Sequence, residues 1–145
     1  MITLKEQEIL EEICLGSKKI QRDIHAVLGK VYDEELALDL NSQAAAYARM
    51  QERAEDTLLD AGVMPATMSF LEKTRRWAEI QSSTALNIST DHIASLIQSS
   101  QRESLERLKM AMEGSSVLTS DACELAEEYQ RMERQNLEIL NAYRG

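Results

Sequence analysis

Two histidines, His25 and His92, are the residues of this 145-residue chain best suited to proton transfer or metal ligation. His92 has Asp91 beside it and Glu103 further along the same stretch, so it is the candidate base or ligand. A carboxylate-bridged metal pair in a helical bundle needs a Glu from each of two helices and a Glu-x-x-His from each of the other two. Three positions before His25 stands Arg22, and three before His92 stands Ser89, so neither histidine completes that motif. Glu133, beside Met132, is the best remaining carboxylate, since most other glutamates fall on outer or flanking positions. The metal expectation is therefore none, with His92 and Glu133 as the residues to watch. The plainer reading of His92 is a helix-start residue that caps, or packs its ring on the preceding helix. His25 reads as a surface or partner-facing residue.

Other chemistries lack their residues. Cys14 and Cys123 are far apart and in no metal-like spacing, which suits small, reduced, half-buried helix residues. No Ser-His-Asp or Cys-His set, glycine-rich phosphate loop or Cys-x-x-Cys occurs. No catalytic residue and no cofactor is assigned, and the chain is not expected to be an enzyme.

The elements that must position these residues are helices. One proline and five glycines leave little material for turns, and aromatics are only 4% of residues, so Leu, Ile, Met and Ala must fill the core. Such a chain reads as a single all-α domain over 1–145. Helix one spans about Thr3 to Leu28, with Thr3 and Glu6 as a capping box and a seam through Leu10, Ile13, Ser17, Ile20, Ile24, Val27 and Val31. Gly29 is expected to stop it. Helix two, capped by Asp33, turns Leu36, Leu40, Gln43, Tyr47, Met50, Ala54, Leu58 and Ala61 inward. Gly62 ends it, and Pro65 is expected to start the next helix.

From Pro65 to Gly114 there is neither glycine nor proline. One helix of that length would be on the order of 70 Å, far longer than its neighbours. The apolar phase also shifts, and Asn87, Ser89, Thr90 and Asp91 offer capping groups. A break near Asn87 to Asp91 is therefore expected, leaving a connecting helix over about 65–86. Its Phe70, Trp77, Thr84 and Ile88 line one face, and Met64, Met68, Leu71, Ala78 and Ala85 another. The helix after the break carries Ile93, Leu96, Ile97, Ser100, Ser104, Leu108 and Ala111 at steps of three and four, and Gly114, Ser115 and Ser116 end it. The last helix starts at Thr119 or Ser120 and turns Leu118, Ala122, Leu125, Tyr129, Met132, Asn136, Ile139 and Tyr143 inward. The neutral polar residues Ser17, Gln43, Ser100 and Asn136 form an inner layer that fixes helix register, or lines a small pocket with Tyr47 and Tyr129. Met64, Met68, Met110 and Met112 read as core filling.

Charge narrows the partners. A formal charge of −9 repels phosphate backbones, and the nearest basic cluster, Lys73, Arg75 and Arg76, is interrupted by Glu72 and Glu79. No nucleic-acid partner is expected. No apolar run approaches membrane-spanning length, and MITLKEQEIL lacks a secretory h-region, so no membrane partner and a cytoplasmic location are expected.

The stretch STDHIASLIQSS, after a tryptophan-bearing helix and before ELAEEYQRMERQNLEIL, resembles a group of small uncharacterised helical proteins of clostridia and related Firmicutes. The resemblance implies a ferritin-like antiparallel four-helix bundle, with two helix pairs joined by a long crossover. It implies no established activity and no catalytic residues. The extra apolar face around Phe70 and Trp77 points to a non-enzymatic bundle that works by self-association, as a homodimer, or by binding a protein partner. A degenerate ferritin-like metal-binding protein and a small-molecule carrier are the alternatives.

Overall fold

The computed structural model describes residues 2–114 and 120–145. Five helices follow one another: α1 Leu4–Leu28, α2 Glu34–Asp60, α3 Phe70–Thr84, α4 Thr90–Met112 and α5 Asp121–Asn141. Each begins at a side chain that accepts from an otherwise unpaired backbone amide: Thr3, Asp33, Ser69, Ser89 and Ser120. Thr3 and Glu6 form the expected capping box. At the end of α2, Gly62 takes φ 77°, which lets Val63 N–H reach back to the Leu58 carbonyl at 2.9 Å. Gly29 stays right-handed at φ −67°, so that stop does not need glycine's freedom.

The long helices α1, α2, α4 and α5 surround one core. Lys19 meets Glu103 and Asp23 meets Ser100, so α4 runs antiparallel to α1. Gln43 meets Asn136 and Arg53 meets Glu128, so α5 runs antiparallel to α2. Gln98 reaches Leu137, and Ser104 reaches Tyr129, which makes α4 and α5 antiparallel too. α3 runs alongside α1 in the same direction, through Asp23 to Arg76 and Lys30 to Thr84, and Lys18 holds the Ala66 carbonyl in the segment before it. It carries the chain back along the bundle to where α4 starts. No helix among the described residues is long and apolar enough to cross a membrane.

α3 joins the bundle differently from the others. Of its fifteen residues only Ile80 and Thr84 are buried. Its hold is mostly polar. The Arg76 guanidinium donates to both carboxylate oxygens of Asp23 at 3.0 Å, and Asp23 is 1% exposed. Ser100 of α4 donates to the same carboxylate at 2.5 Å and accepts from Arg76 at 3.0 Å. Lys30 donates to Gln81 and Thr84, at 2.7 and 2.6 Å.

Several expectations need correction. The connecting helix starts at Phe70, not Pro65, because Ser69 supplies the cap, bonding Glu72 both at its amide and at its carboxylate. Residues 63–69 are non-helical. The break falls where expected, since α3 ends at Thr84 and Ser89 caps α4. On α5 the inner stripe runs through Tyr129, Glu133, Asn136 and Leu140, while Ile139 is 44% exposed. Met64 and Met110 are exposed at 80% and 60% rather than core-filling. Leu118, Ser115, Ser116 and Thr119 lie outside the described residues.

Removing the guanidinium leaves a buried carboxylate without its cation. Arg76→Ala is therefore expected to lower stability by about 3 kcal/mol, read from urea unfolding. The loss of helical signal should begin in α3.

Candidate functional site

The centre of the bundle holds a layer of hydroxyls around one carboxylate. Heptad-like spacing brings Ser17 from α1, Tyr47 from α2, Ser104 from α4, and Tyr129 and Glu133 from α5 to it. Glu133 is fully buried, and its Oε1 accepts a short hydrogen bond from the Tyr47 hydroxyl. Tyr129 Oη and Ser104 Oγ are 2.7 Å apart, and the two tyrosine rings tilt at 59° with centroids 6.1 Å apart. Gly16 makes the space: a Cβ there would lie 2.3 Å from Ser104 Oγ and 2.8 Å from Tyr129 Oη. One turn along the bundle, Gln101 donates to Gln43 at 2.7 Å, and Gln43 donates to the Asn136 carbonyl at 3.2 Å.

Four buried polar atoms have no hydrogen-bond partner among the described residues: Ser17 Oγ, Gln101 Oε1, Glu133 Oε2 and Asn136 Nδ2. Leaving such groups unpaired is unfavourable, so the layer suits a buried water or a bound proton. Burial pushes Glu133 up to about 7, against the opposing pull of the Tyr47 hydrogen bond and of the nearby Ser104 and Tyr129 hydroxyls. Burial, and next the Glu133 charge, hold both tyrosines well above their usual range. The layer can therefore store a proton near neutral pH.

His92 and Glu133 are not brought together. His92 stands at the start of α4, about 18 Å along the helix from Ser104 by the 1.5 Å rise, while Ser104 adjoins the Glu133 layer. Its Nε2 lies 2.9 Å from Ser83 Oγ and 3.1 Å from the Ser83 carbonyl, so the ring ties α4 to the end of α3. Neither neighbouring carboxylate orients it: Asp91 binds Arg144, and Glu103 binds Lys19 and Arg107. His25 is exposed. Among the described residues no three of His, Cys, Asp and Glu come together to hold a metal. Cys14 and Cys123 are buried free thiols, and burial pushes Cys14 up to about 12.

The polar inner layer differs in membership from its sequence reading. Ser17, Gln43 and Asn136 take part, but Ser100 instead serves the Asp23–Arg76 pair. Glu133, Gln98 and Gln101 are fully buried although their residue types favour surfaces. Asp23 has one signal in the sequence, its position: it stands three residues after Ile20 and four before Val27, on the inner stripe. Phe70 and Trp77, the expected interaction residues, are 81% and 57% exposed on α3.

No protein-family model, curated protein or solved structure matches the chain.

Glu133 binds its proton more tightly in the folded protein than the ordinary value of 4.5 allows. Between about 4.5 and 7 the folded state holds a proton that the unfolded chain has released. Its contribution is thus full below that window and is lost as pH rises through it, by on the order of 3 kcal/mol. Glu133→Gln keeps the shape of the neutral acid. Unfolding midpoints from pH 5 to 8 should show the variant gaining on the parent as pH rises, whereas parallel profiles would refute the assignment. Gly16→Ala, ordinarily worth about 1 kcal/mol of added helix stability, should instead destabilise by about 1–3 kcal/mol in thermal or urea unfolding.

Proposed function

We propose that this protein is a non-enzymatic helical bundle that works by self-association, with α3 as the contact between two copies. The observation that carries the reading is the exposure of Phe70 (81%), Leu71 (79%) and Trp77 (57%) on one short helix whose hold on the bundle is polar. Large exposed apolar groups clustered on one element mark interaction surfaces. Aromatic anchors of this kind dominate interface energies.

Two features favour a second copy as the occupant. Phe70 and Trp77 are two turns apart, so an antiparallel pairing about a twofold between Lys73 and Thr74 sets Phe70 against Trp77 of the partner subunit, twice over. Charge favours the same face. α3 carries three basic and two acidic side chains, whereas α2 carries seven acidic and two basic, and α5 six acidic and two basic. Two such acidic chains meet with least repulsion through α3.

The antiparallel neighbours and the return stroke of α3 support reading the four long helices as a ferritin-like bundle. The metal-binding alternative loses its proposed pair, since His92 is engaged with Ser83 and lies far from Glu133.

The mass of the full chain in solution tests the reading. Light scattering after size exclusion should give two chains, and Trp77→Ala should shift the mass toward one. A parent protein at monomer mass across concentrations contradicts it.

A further inference from the structure

The chain is acidic, yet one groove in it is basic. α1, α2, the 63–69 segment and the first turn of α3 enclose about 320 Å³. Lys18, Arg22 and His25 line it from α1, at the steps of four and three that put side chains on one side of a helix. Lys73 lines it from α3, and Thr67 and Met68 from the segment before. The Lys18 ammonium donates to the Ala66 carbonyl at 2.9 Å, which holds that segment against α1. Register brings Arg22 and Lys73 level. Arg22 precedes Asp23 by one residue, Lys73 precedes Arg76 by three, and Asp23 and Arg76 are bonded at 3.0 Å. On parallel helices that rise 1.5 Å per residue, Arg22 and Lys73 therefore stand within about 3 Å of the same height. Both also line the small cleft that continues the seam between α1 and α3, so the two side chains share one space.

Among the described residues no Asp or Glu lines the groove. The carboxylates beside it are engaged. Glu55 takes Lys18 at 3.5 Å and the Gln51 amide at 2.8 Å, and Asp23 takes Arg76 and Ser100. The side chains of Arg22 and Lys73 make no ion pair among the described residues. Two like charges that face one space repel, and an anion between them turns that repulsion into attraction. Lys18 is balanced by Glu55, so two permanent charges are left over, which a dianion neutralises and a single carboxylate does not. The planar fork of Arg22 fits two oxygens of a tetrahedral group, and Lys73 offers a point charge to a third. The His25 ring and the Thr67 hydroxyl are further donors.

The geometry points to a binding site for a small phosphate monoester, its dianionic phosphoryl group held between Arg22 and Lys73. The rest of the surface sets the size of the ligand. With a net charge of −9, a nucleic acid or an anionic bilayer meets repulsion across its whole footprint. A small ion in the groove is screened from charges more than about 8 Å away at physiological salt. The volume leaves room beside the phosphoryl group for a short organic body against Met68. The site is formed within one chain, on the α1 flank of α3, and does not rest on the pairing of two copies.

The test is a titration of the full chain with glycerol 3-phosphate, in phosphate-free buffer with about 0.1 M NaCl, followed by amide NMR shifts. Saturable shifts are expected at Arg22, His25, Thr67 and Lys73. Glycerate, which carries one carboxylate in place of the phosphoryl group, should bind at least about tenfold more weakly. Arg22→Glu and Lys73→Glu remove no ion pair of the fold, and each should weaken binding by about tenfold or more. Arg134→Glu makes the same change of net charge on α5 and should leave affinity within about twofold. Phosphatidylcholine vesicles with about one fifth phosphatidic acid present the same group on a lipid and should not sediment the protein. The proposal is overturned by the absence of saturable shifts, by equal binding of glycerate, or by either groove variant binding as the parent does. It is equally overturned if Arg134→Glu weakens binding as much as the groove variants do, or if the vesicles capture the protein. The solution mass, measured on the same samples, reports separately on self-association.

Discussion

The ion pair between Arg76 and the buried Asp23, completed by the Ser100 hydroxyl, decides what kind of molecule this is. Without it α3 has little to hold it, because only Ile80 and Thr84 of that helix are buried. A helix that joins through its apolar stripe spends that stripe on the core. α3 joins through guanidinium, carboxylate and hydroxyl groups, so its largest apolar side chains are left outside. The exposure of Phe70, Leu71 and Trp77 follows from how the helix is anchored. A charge pair with its carboxylate buried and its guanidinium partly exposed is no bonus to stability when compared with apolar packing, but it is directional. It fixes the rotation of α3, and hence which face looks outward.

The middle of the four long helices obeys a related constraint. A wholly apolar seam would permit several registers. Here Tyr47 on Glu133, Tyr129 beside Ser104, and Gln101 on Gln43 on the Asn136 carbonyl accept one register among α2, α4 and α5. Gly16 admits α1 to the same layer at a separation that no side chain would allow. The layer also gives the bundle a proton to gain or lose near neutrality, because Glu133 is buried with one oxygen unpartnered. Specificity of packing and sensitivity to pH thus have one origin.

Much of this was legible in the chain. The seam of α1 from Leu10 to Val27 and that of α2 from Leu36 to Leu58 are buried as their spacing implies. The capping groups at Thr3, Asp33 and Ser89 mark their helices because backbone amides at a helix start need acceptors. What could not be read has a physical cause. On α5 an apolar count prefers Met132 and Ile139 over Glu133 and Leu140, since hydropathy assigns a carboxylate to the surface. The buried acid moves the inner stripe one residue on at two positions, Glu133 and Leu140, and only its hydroxyl neighbours, brought from three other helices, explain it. Asp23 was hidden for the same reason, as its partner Arg76 lies 53 residues away. Pro65 suggested a helix start, yet Ser69 made the stronger cap.

The central claim is that α3 is tethered by polar contacts and that its apolar face is closed by a second copy. Amide hydrogen exchange measured at several protein concentrations addresses both parts at once. The account predicts that protection of Phe70 to Thr84 rises with concentration while protection in α1, α2, α4 and α5 does not change. Protection in α3 that is independent of concentration, and equal to that of the four long helices, would contradict it.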